Sequence, residues 1–269
     1  MRRLQMLVLP LIVVLAPACG KGKPSTAAAP LLSRLTATPA ALDSMWAKAL
    51  DLYTRKKWSK AAVALERLQL ELPSGDRRVI LSRFYLAETR VGEHSNLQAV
   101  REFRRVSDEF PADSMAPEAL LRAGDSYATL WRRAELDPTY GQTAVATYQE
   151  LIARYPASAA AKRAADKITA LEDRFALKSY QAALFYLKFK AYDSAILYLK
   201  DMLATWPRAT VAPEALTRLI QTYHSLGYAE DVREYCTILR KRFPAAPNVD
   251  TNCPATAPAG TPAEKPVGK

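Results

Sequence analysis

One spacing recurs five times along the chain, and it restricts what the chain can fold into. Aligned on a terminal proline, an apolar triplet reads Ala61, Leu65, Leu68 before Pro73, then Ala99, Phe103, Val106 before Pro111. It returns as Ala144, Tyr148, Leu151 before Pro156, as Ala195, Leu199, Met202 before Pro207, and as Val232, Cys236, Leu239 before Pro244. Steps of four and then three residues put each triplet on one face of an α-helix, and proline, which has no amide hydrogen, ends that helix. The stretch from Lys178 to Pro207 contains the whole unit: helix, short turn, helix and stop. In it Ala183 and Tyr186 share a face of the first helix and supply the core between units. Such a hairpin has one apolar face too many to bury alone, so copies must stack.

The recurrence resembles the tetratricopeptide repeat, a helix-turn-helix of about 34 residues that packs only on its neighbours. The expected fold class is all-α: a solenoid of five hairpins, about ten helices, over residues 40–244. The first pair covers 40–56 and 58–72, the second about 77–91 and 96–110 with Gly92 in the turn, where a left-handed backbone is free of steric cost. The third opens at Ser114 and reaches its second helix near Thr139, which leaves about eight extra residues around Trp131 to Pro138. Those residues either loop out of the stack and carry contacts or lengthen the first helix. Between Ser158 and Lys190 neither glycine nor proline occurs, so one helix of roughly 50 Å is expected. Its N-terminal half should pack on the third pair and its C-terminal half begin the fourth. The fifth pair covers 212–226 and 229–243, with Gly227 in the turn.

The two ends read differently. Residues 1–18 open with Arg2 and Arg3 and continue through the apolar run Leu4 to Leu15, the layout of an export signal too short to serve as a permanent membrane anchor. Leu15 to Cys19, LAPAC, resembles a bacterial lipoprotein signal, which makes Cys19 the mature N-terminus and the lipidation site. Ala16 and Pro17 depart from the usual signal, and an ordinary secretory cut after Ala18 is the other reading. Each buried methylene of an acyl chain contributes about 0.8 kcal/mol, enough for several chains on one cysteine to hold a protein at a membrane. Residues 19–39 and 245–269 are rich in Ala, Pro, Ser, Thr and Gly and read as a flexible linker and a disordered tail.

Chemistry is thinly represented. The formal charge of +11 is scattered through every helix without a run of five cations, so no nucleic-acid stripe is expected. Two histidines, His94 and His224, fall in different repeats, and no metalloprotease, nucleophile-elbow, phosphate-loop or dinucleotide motif occurs. Neither enzyme activity, cofactor nor metal is expected. Cys236 sits at a triplet position filled elsewhere by Phe103 and Tyr148, which suits a small buried hydrophobe. In an oxidising compartment a bridge from it to Cys253 could staple the tail down. Both readings stand.

A binding surface is what the residues do offer. On the first helix Met45, Ala49 and Leu52 supply a stripe for the core, and Trp46, Leu50 and Tyr53 form a second one. In the next repeat Phe84 and Tyr85 exceed what Ile80, Ala87 and Val91 need for packing. First helices line the concave side of such solenoids, so these five residues either form an apolar groove for an extended peptide or fill a wide core.

Across Ala41 to Pro244 the chain resembles the BamD family, the tetratricopeptide lipoproteins of the bacterial β-barrel assembly machinery. The most specific stretch is LDPTYGQTAVATYQELIARYP, Leu136 to Pro156, followed by Ser158, Ala161, Lys162, Leu171, Asp173 and Arg174. The element PEALTRLIQTYHSLG, Pro213 to Gly227, is similar to the family's last repeat. The resemblance implies an outer-membrane lipoprotein facing the periplasm. It implies that C-terminal repeats bind the soluble domains of the barrel subunit, and that N-terminal repeats bind unfolded barrel precursors ending in alternating aromatics. Accessory lipoproteins are further implied partners. His224 stands where a partner-contacting basic residue is expected, and its neutrality near pH 7 weakens any ion pair there. The competing readings are a periplasmic repeat scaffold for cell division or pilus assembly, and a catalytic peptidoglycan factor.

Overall fold

The computed structural model describes residues 37–247 and 249–253. The expected signal 1–18, Cys19, most of the linker 19–39 and residues 254–269 lie outside the described residues. Those described form five helical pairs: α1 (Pro39–Thr54) with α2 (Trp58–Glu71), α3 (Arg78–Gly92) with α4 (Asn96–Glu109), α5 (Ala116–Leu130) with α6 (Thr139–Arg154), α7 (Ala159–Lys188) with α8 (Tyr192–Thr205), and α9 (Ala212–Leu226) with α10 (Ala229–Arg242). A single turn, α11 (Val249–Asn252), follows, and no strand occurs among the described residues. Each helix from α1 to α10 packs on the next in order, the one-dimensional stacking of a repeat solenoid. The recurrent triplets are buried throughout except for Val232, which is half-buried.

The turns inside four of the five pairs are held in one way. After α1 the Lys57 amide donates to the Leu52 carbonyl and the Lys56 amide to Tyr53, with Lys56 at φ 55°. That is a Schellman cap with a left-handed residue just beyond the helix. His94 at φ 60° and Lys190 at φ 58° repeat it, and Gly227 at φ 76° completes the series. Gly92, expected in the second turn, is instead the last residue of α3. A β-carbon there would come within 2.5 Å of the Trp58 ring, so this glycine serves the close approach of α2 to α3 while His94 takes the positive φ.

The long helix α7 runs for 30 residues, about 45 Å. Ser158 caps it, its hydroxyl accepting from the Ala161 amide at 3.1 Å. Ala160, Ala164 and Leu171 pack with Leu120, Tyr148 and Leu151 of the third pair. Ala176, Tyr180 and Ala183 pack with Leu199, Met202, Leu219 and Tyr223. The helix therefore belongs to both halves of the stack, as its length requires. Tyr186 is not the ring that fills this core. Tyr180 is buried, whereas Tyr186 lies one turn past Ala183, near the helix end, half-buried and stacked at 5.3 Å on the exposed Tyr198.

The insertion does not extend α5: it is a loop with residues 132, 133 and 135–137 exposed, anchored by buried Trp131 and Ala134. Trp131 turns inward to 1% exposure and stacks on Phe175 at 4.5 Å. Gly141 makes room for it, since a β-carbon there would overlap the indole. The Arg174 guanidinium lies 4.6 Å above the same ring and donates to the Trp131 carbonyl. Lys178 Nζ donates to the carbonyls of Glu135 at 3.2 Å and Leu136 at 3.0 Å, so the loop is fastened along α7.

The last pair has no following repeat to cover it, and residues assigned by composition to the tail do so. Ala246, Val249 and Cys253 pack against Leu216, Ile220 and Leu239, and a disulfide joins Cys253 to Cys236 with the Cα atoms 5.5 Å apart. The structureless tail expected from residue 245 thus gives way to an ordered cap as far as Cys253.

Candidate peptide-binding surface

Helices α1 and α3, first helices of the first two pairs, carry the aromatic residues singled out from the sequence. Tyr85 is the centre: its ring meets Tyr53 at 4.9 Å and Trp46 at 5.9 Å, both edge to face. Tyr53 in turn meets Trp58 at 5.7 Å. Edge-to-face geometry sets the positive rim of one ring against the negative face of the next, worth about 0.5–1.5 kcal/mol per pair beyond burial. Leu50 lies four residues after Trp46 and three before Tyr53, on their side of α1, and is half-buried. Trp46, Leu50, Tyr53 and Tyr85 are all half-buried and so keep part of their surface in water.

Phe84 behaves differently. Its ring packs on Phe103 at 5.4 Å and joins the α3–α4 core, touching Tyr85 only at 6.3 Å. Trp46 and Tyr85 also rest on the cluster of Ala49, Leu65 and Leu86, so the aromatic surface is the outer edge of a packed core. His224, exposed in the last turn of α9, lies in the fifth pair, away from the α1–α3 rings.

Beside the rings runs a strip of paired charge that periodicity did not single out. Arg122 of α5 reaches back to Glu88 of α3 with two bonds, 2.6 and 2.8 Å, and forward to Asp125 at 3.5 Å. Asp125 also accepts from the Tyr148 hydroxyl at 2.7 Å and from Lys167 of α7 at 2.9 Å. One chain of contacts thus links three successive first helices. Burial, followed by the hydrogen bond to anionic Asp125, pushes the Tyr148 hydroxyl well above the usual phenol range. Its bond to Glu88 holds Arg122 in its charged form more firmly than usual. Tyr53 is raised as well, first by burial and then by the nearby Glu88 carboxylate, which places the aromatic cluster against the start of the ionic strip. A cavity of about 390 Å³ opens where the strip meets α7, lined by Asp125, Thr129, Tyr148, Lys167, Leu171 and Arg174.

Half-exposed rings offer edges and faces to aromatic side chains, and the adjacent charges are paired with one another. The ionic strip had no periodic signal in the sequence, because its members meet only once the stacking is known. Among the described residues no three His, Cys, Asp or Glu side chains gather as a metal would require. Among the same residues no helix is long and apolar enough to cross a membrane.

Residues 40–238 match the family described as YfiO, outer membrane lipoprotein. The outer membrane protein assembly factor BamD of Caulobacter vibrioides is 23% identical over 205 residues, 76% of this chain and 66% of that protein. The BamD of Vibrio cholerae is 30% identical over 100 residues, 37% of this chain and 42% of that protein, so these alignments span less than two thirds of either relative. The BamD of Neisseria meningitidis is 22% identical over 215 residues, 77% of this chain and 80% of that protein. With the match extending from the first turns of α1 to the middle of α10, the chain belongs to the YfiO family of outer membrane lipoproteins.

Proposed function

We propose that this chain is a non-enzymatic scaffold of outer-membrane β-barrel assembly that holds unfolded barrel precursors by their aromatic C-terminal segments. The observation that carries the reading is the half-exposed cluster of Trp46, Tyr53 and Tyr85 on consecutive first helices. Leu50 extends it along α1, and Phe84 supports it from behind. An extended segment with aromatics at alternate positions presents rings on one side, and such rings can add to the edge-to-face set already there. The C-terminal repeats, with His224 at the surface of α9, take the soluble domains of the barrel subunit. Accessory lipoproteins are further partners, and nucleic acid is not one. Acylation at Cys19 holds the chain at the periplasmic face of the outer membrane, where no cofactor is needed for binding.

The test is a binding titration with a peptide of alternating aromatics and a free C-terminal carboxylate. Trp46→Ala combined with Tyr53→Ala is expected to weaken it about tenfold or more with helical content unchanged. Unchanged affinity removes the α1–α3 surface from the proposal. Cys19→Ser is expected to move the chain from the membrane fraction to the soluble one, and retention on membranes would mean that another feature anchors it.

A further inference from the structure

The turn between α7 and α8 carries a surface that folding does not require. Phe185 and Phe189 are 58% and 63% exposed, with ring centroids 4.8 Å apart, and Tyr186 and Tyr198 flank them. The other turns of the same construction supply the comparison. Counting from the left-handed residue, the place of Phe185 holds Asp51, Thr89 and Thr222 in the other pairs, and the place of Phe189 holds Arg55, Glu93 and Leu226. Only here do both positions bear a ring. The Schellman cap forms equally well without them, so the rings are not there for the turn.

The charges at this turn have one sign in excess. Between residues 185 and 193 the charged side chains are Lys188, Lys190 and Asp193. Both lysines are exposed, and neither joins an ion pair among the described residues. Lys188 follows Phe185 by three residues and so shares its face of α7. Two neighbouring phenylalanines, a half-buried tyrosine and flanking lysines are the set of groups that suits a lipid–water boundary. The rings enter the acyl region while ammonium groups stay with the phosphates.

We infer that the α7–α8 turn is a second, non-covalent contact of this chain with an anionic lipid surface, made by Phe185 and Phe189 with Lys188 and Lys190. The contact is independent of the precursor-binding reading, because it lies in the fourth pair and uses none of the α1–α3 rings. It is weak alone, as an amphipathic patch of this size must be, and gains force when another attachment already confines the chain near a membrane.

The test uses the full chain carrying Cys19→Ser, so that no acyl chain contributes. It is floated with vesicles of equal parts phosphatidylglycerol and phosphatidylcholine, and with vesicles of phosphatidylcholine alone. Binding is expected to the anionic vesicles, falling about tenfold with Phe185→Ser/Phe189→Ser and similarly with Lys188→Glu/Lys190→Glu. The remote pair Lys57→Glu/Lys60→Glu, equal in charge, is expected to change it by less than about twofold. Phe189→Trp reports the same contact directly through a blue-shifted emission on anionic vesicles. Absence of vesicle binding overturns the proposal. So does binding lost equally with the remote lysines, since diffuse charge alone would give that. Loss of a co-purifying acidic polypeptide from the Phe185/Phe189 variant, with vesicle binding unchanged, assigns the turn to a protein partner and overturns it too.

Discussion

Removing the Cys236–Cys253 cross-link, as Cys236→Ala/Cys253→Ala or by a dithiol reductant, is expected to loosen the end of the solenoid and leave the rest untouched. The bridged residues are 17 apart in sequence, and closing a loop of that length takes about 3 kcal/mol of conformational entropy out of the unfolded chain. What remains after its loss is modest. Ala246 and Val249 still rest on Leu216, Ile220 and Leu239, and Gln221 Nε2 still donates to Asn252 Oδ1 at 2.9 Å. Because each repeat is coupled only to its neighbours, the effect should stay in α9, α10 and α11 and fade through α8. Three kcal/mol corresponds to about two powers of ten in amide protection, a difference that hydrogen exchange read by peptide mass resolves easily. Protection in α3 to α6 should be unchanged. A uniform loss over all helices would refute the local-coupling argument. No loss in α9 and α10 would show that the apolar contacts hold the cap and that loop closure contributes nothing.

Other consequences follow from particular side chains. Gly124→Ala sets a β-carbon into the Tyr148 ring, which its bond to Asp125 prevents from moving aside, and is expected to cost about 1–3 kcal/mol by thermal or urea unfolding. Lys56→Gly and His94→Gly remove the side chain from left-handed positions and are each expected to stabilise by up to about 1 kcal/mol, measured as a shifted denaturation midpoint. Tyr180→Asp buries a charge between the fourth and fifth pairs and should cost several kcal/mol, whereas Tyr186→Asp, half in water, should cost far less; comparable losses would contradict the burial pattern. Asp76, held below the usual carboxylate range by hydrogen bonds from the Arg78 side chain and amide, contributes stability that is present above about pH 4 and fades as the pH falls through its lowered pKa. An acid titration of Asp76→Asn should lack that part of the decline. Tyr180 and Tyr223, both pushed up to about 12 by burial, are expected to ionise late in an alkaline absorbance titration, with stability declining once the pH passes the ordinary tyrosine value of about 10.

The repeats were legible in the sequence because the second helix of every pair lies between two neighbours. Ala99, Phe103 and Val106 have no freedom to differ in kind from Ala144, Tyr148 and Leu151, and fixed spacing is what remains visible. The double role of α7 followed from its length. Three features were not legible, each for a physical reason. Trp131 and Arg174 are 43 residues apart, and nothing local indicates that the loop turns inward onto a cation rather than outward. Gly92 carries the composition of a turn residue, but the demand it meets is the Trp58 ring. The cap over α10 is built from a stretch whose composition is that of a tail; the Cys236–Cys253 bridge was one of two open readings of the cysteines, but the apolar face that Ala246 and Val249 cover had no local signal. Among the proposed binding residues, Trp46, Tyr53 and Tyr85 come together in space, whereas Phe84 turned out to belong mainly to the core beneath them.

This division between helices bears on where function can lie in such a chain. A second helix buries the face that carries its triplet and leaves the other in water, as the exposed Leu70 and Leu197 show. A first helix, and the turn after it, has one side committed to the core and another that stacking leaves alone. The departures from the repeat pattern fall on that free side: the rings of α1 and α3, the Glu88–Arg122–Asp125–Lys167 strip across α3, α5 and α7, and the phenylalanine pair at the end of α7. The ionic strip joins α3, which carries part of the aromatic surface, to α7, which leads into the α7–α8 turn, through a bidentate Arg122–Glu88 link and single contacts of Asp125 with Arg122 and Lys167. Arg122→Ala is therefore expected to do two things. It would leave Glu88 and Asp125 facing each other with only Lys167 to offset them, and it would alter the seating of α3, which carries Tyr85, against α5. If peptide binding at the rings falls in that variant while the Phe185/Phe189 pair still binds vesicles, the strip sets the geometry of the first surface. If neither changes, the strip only stabilises the stack.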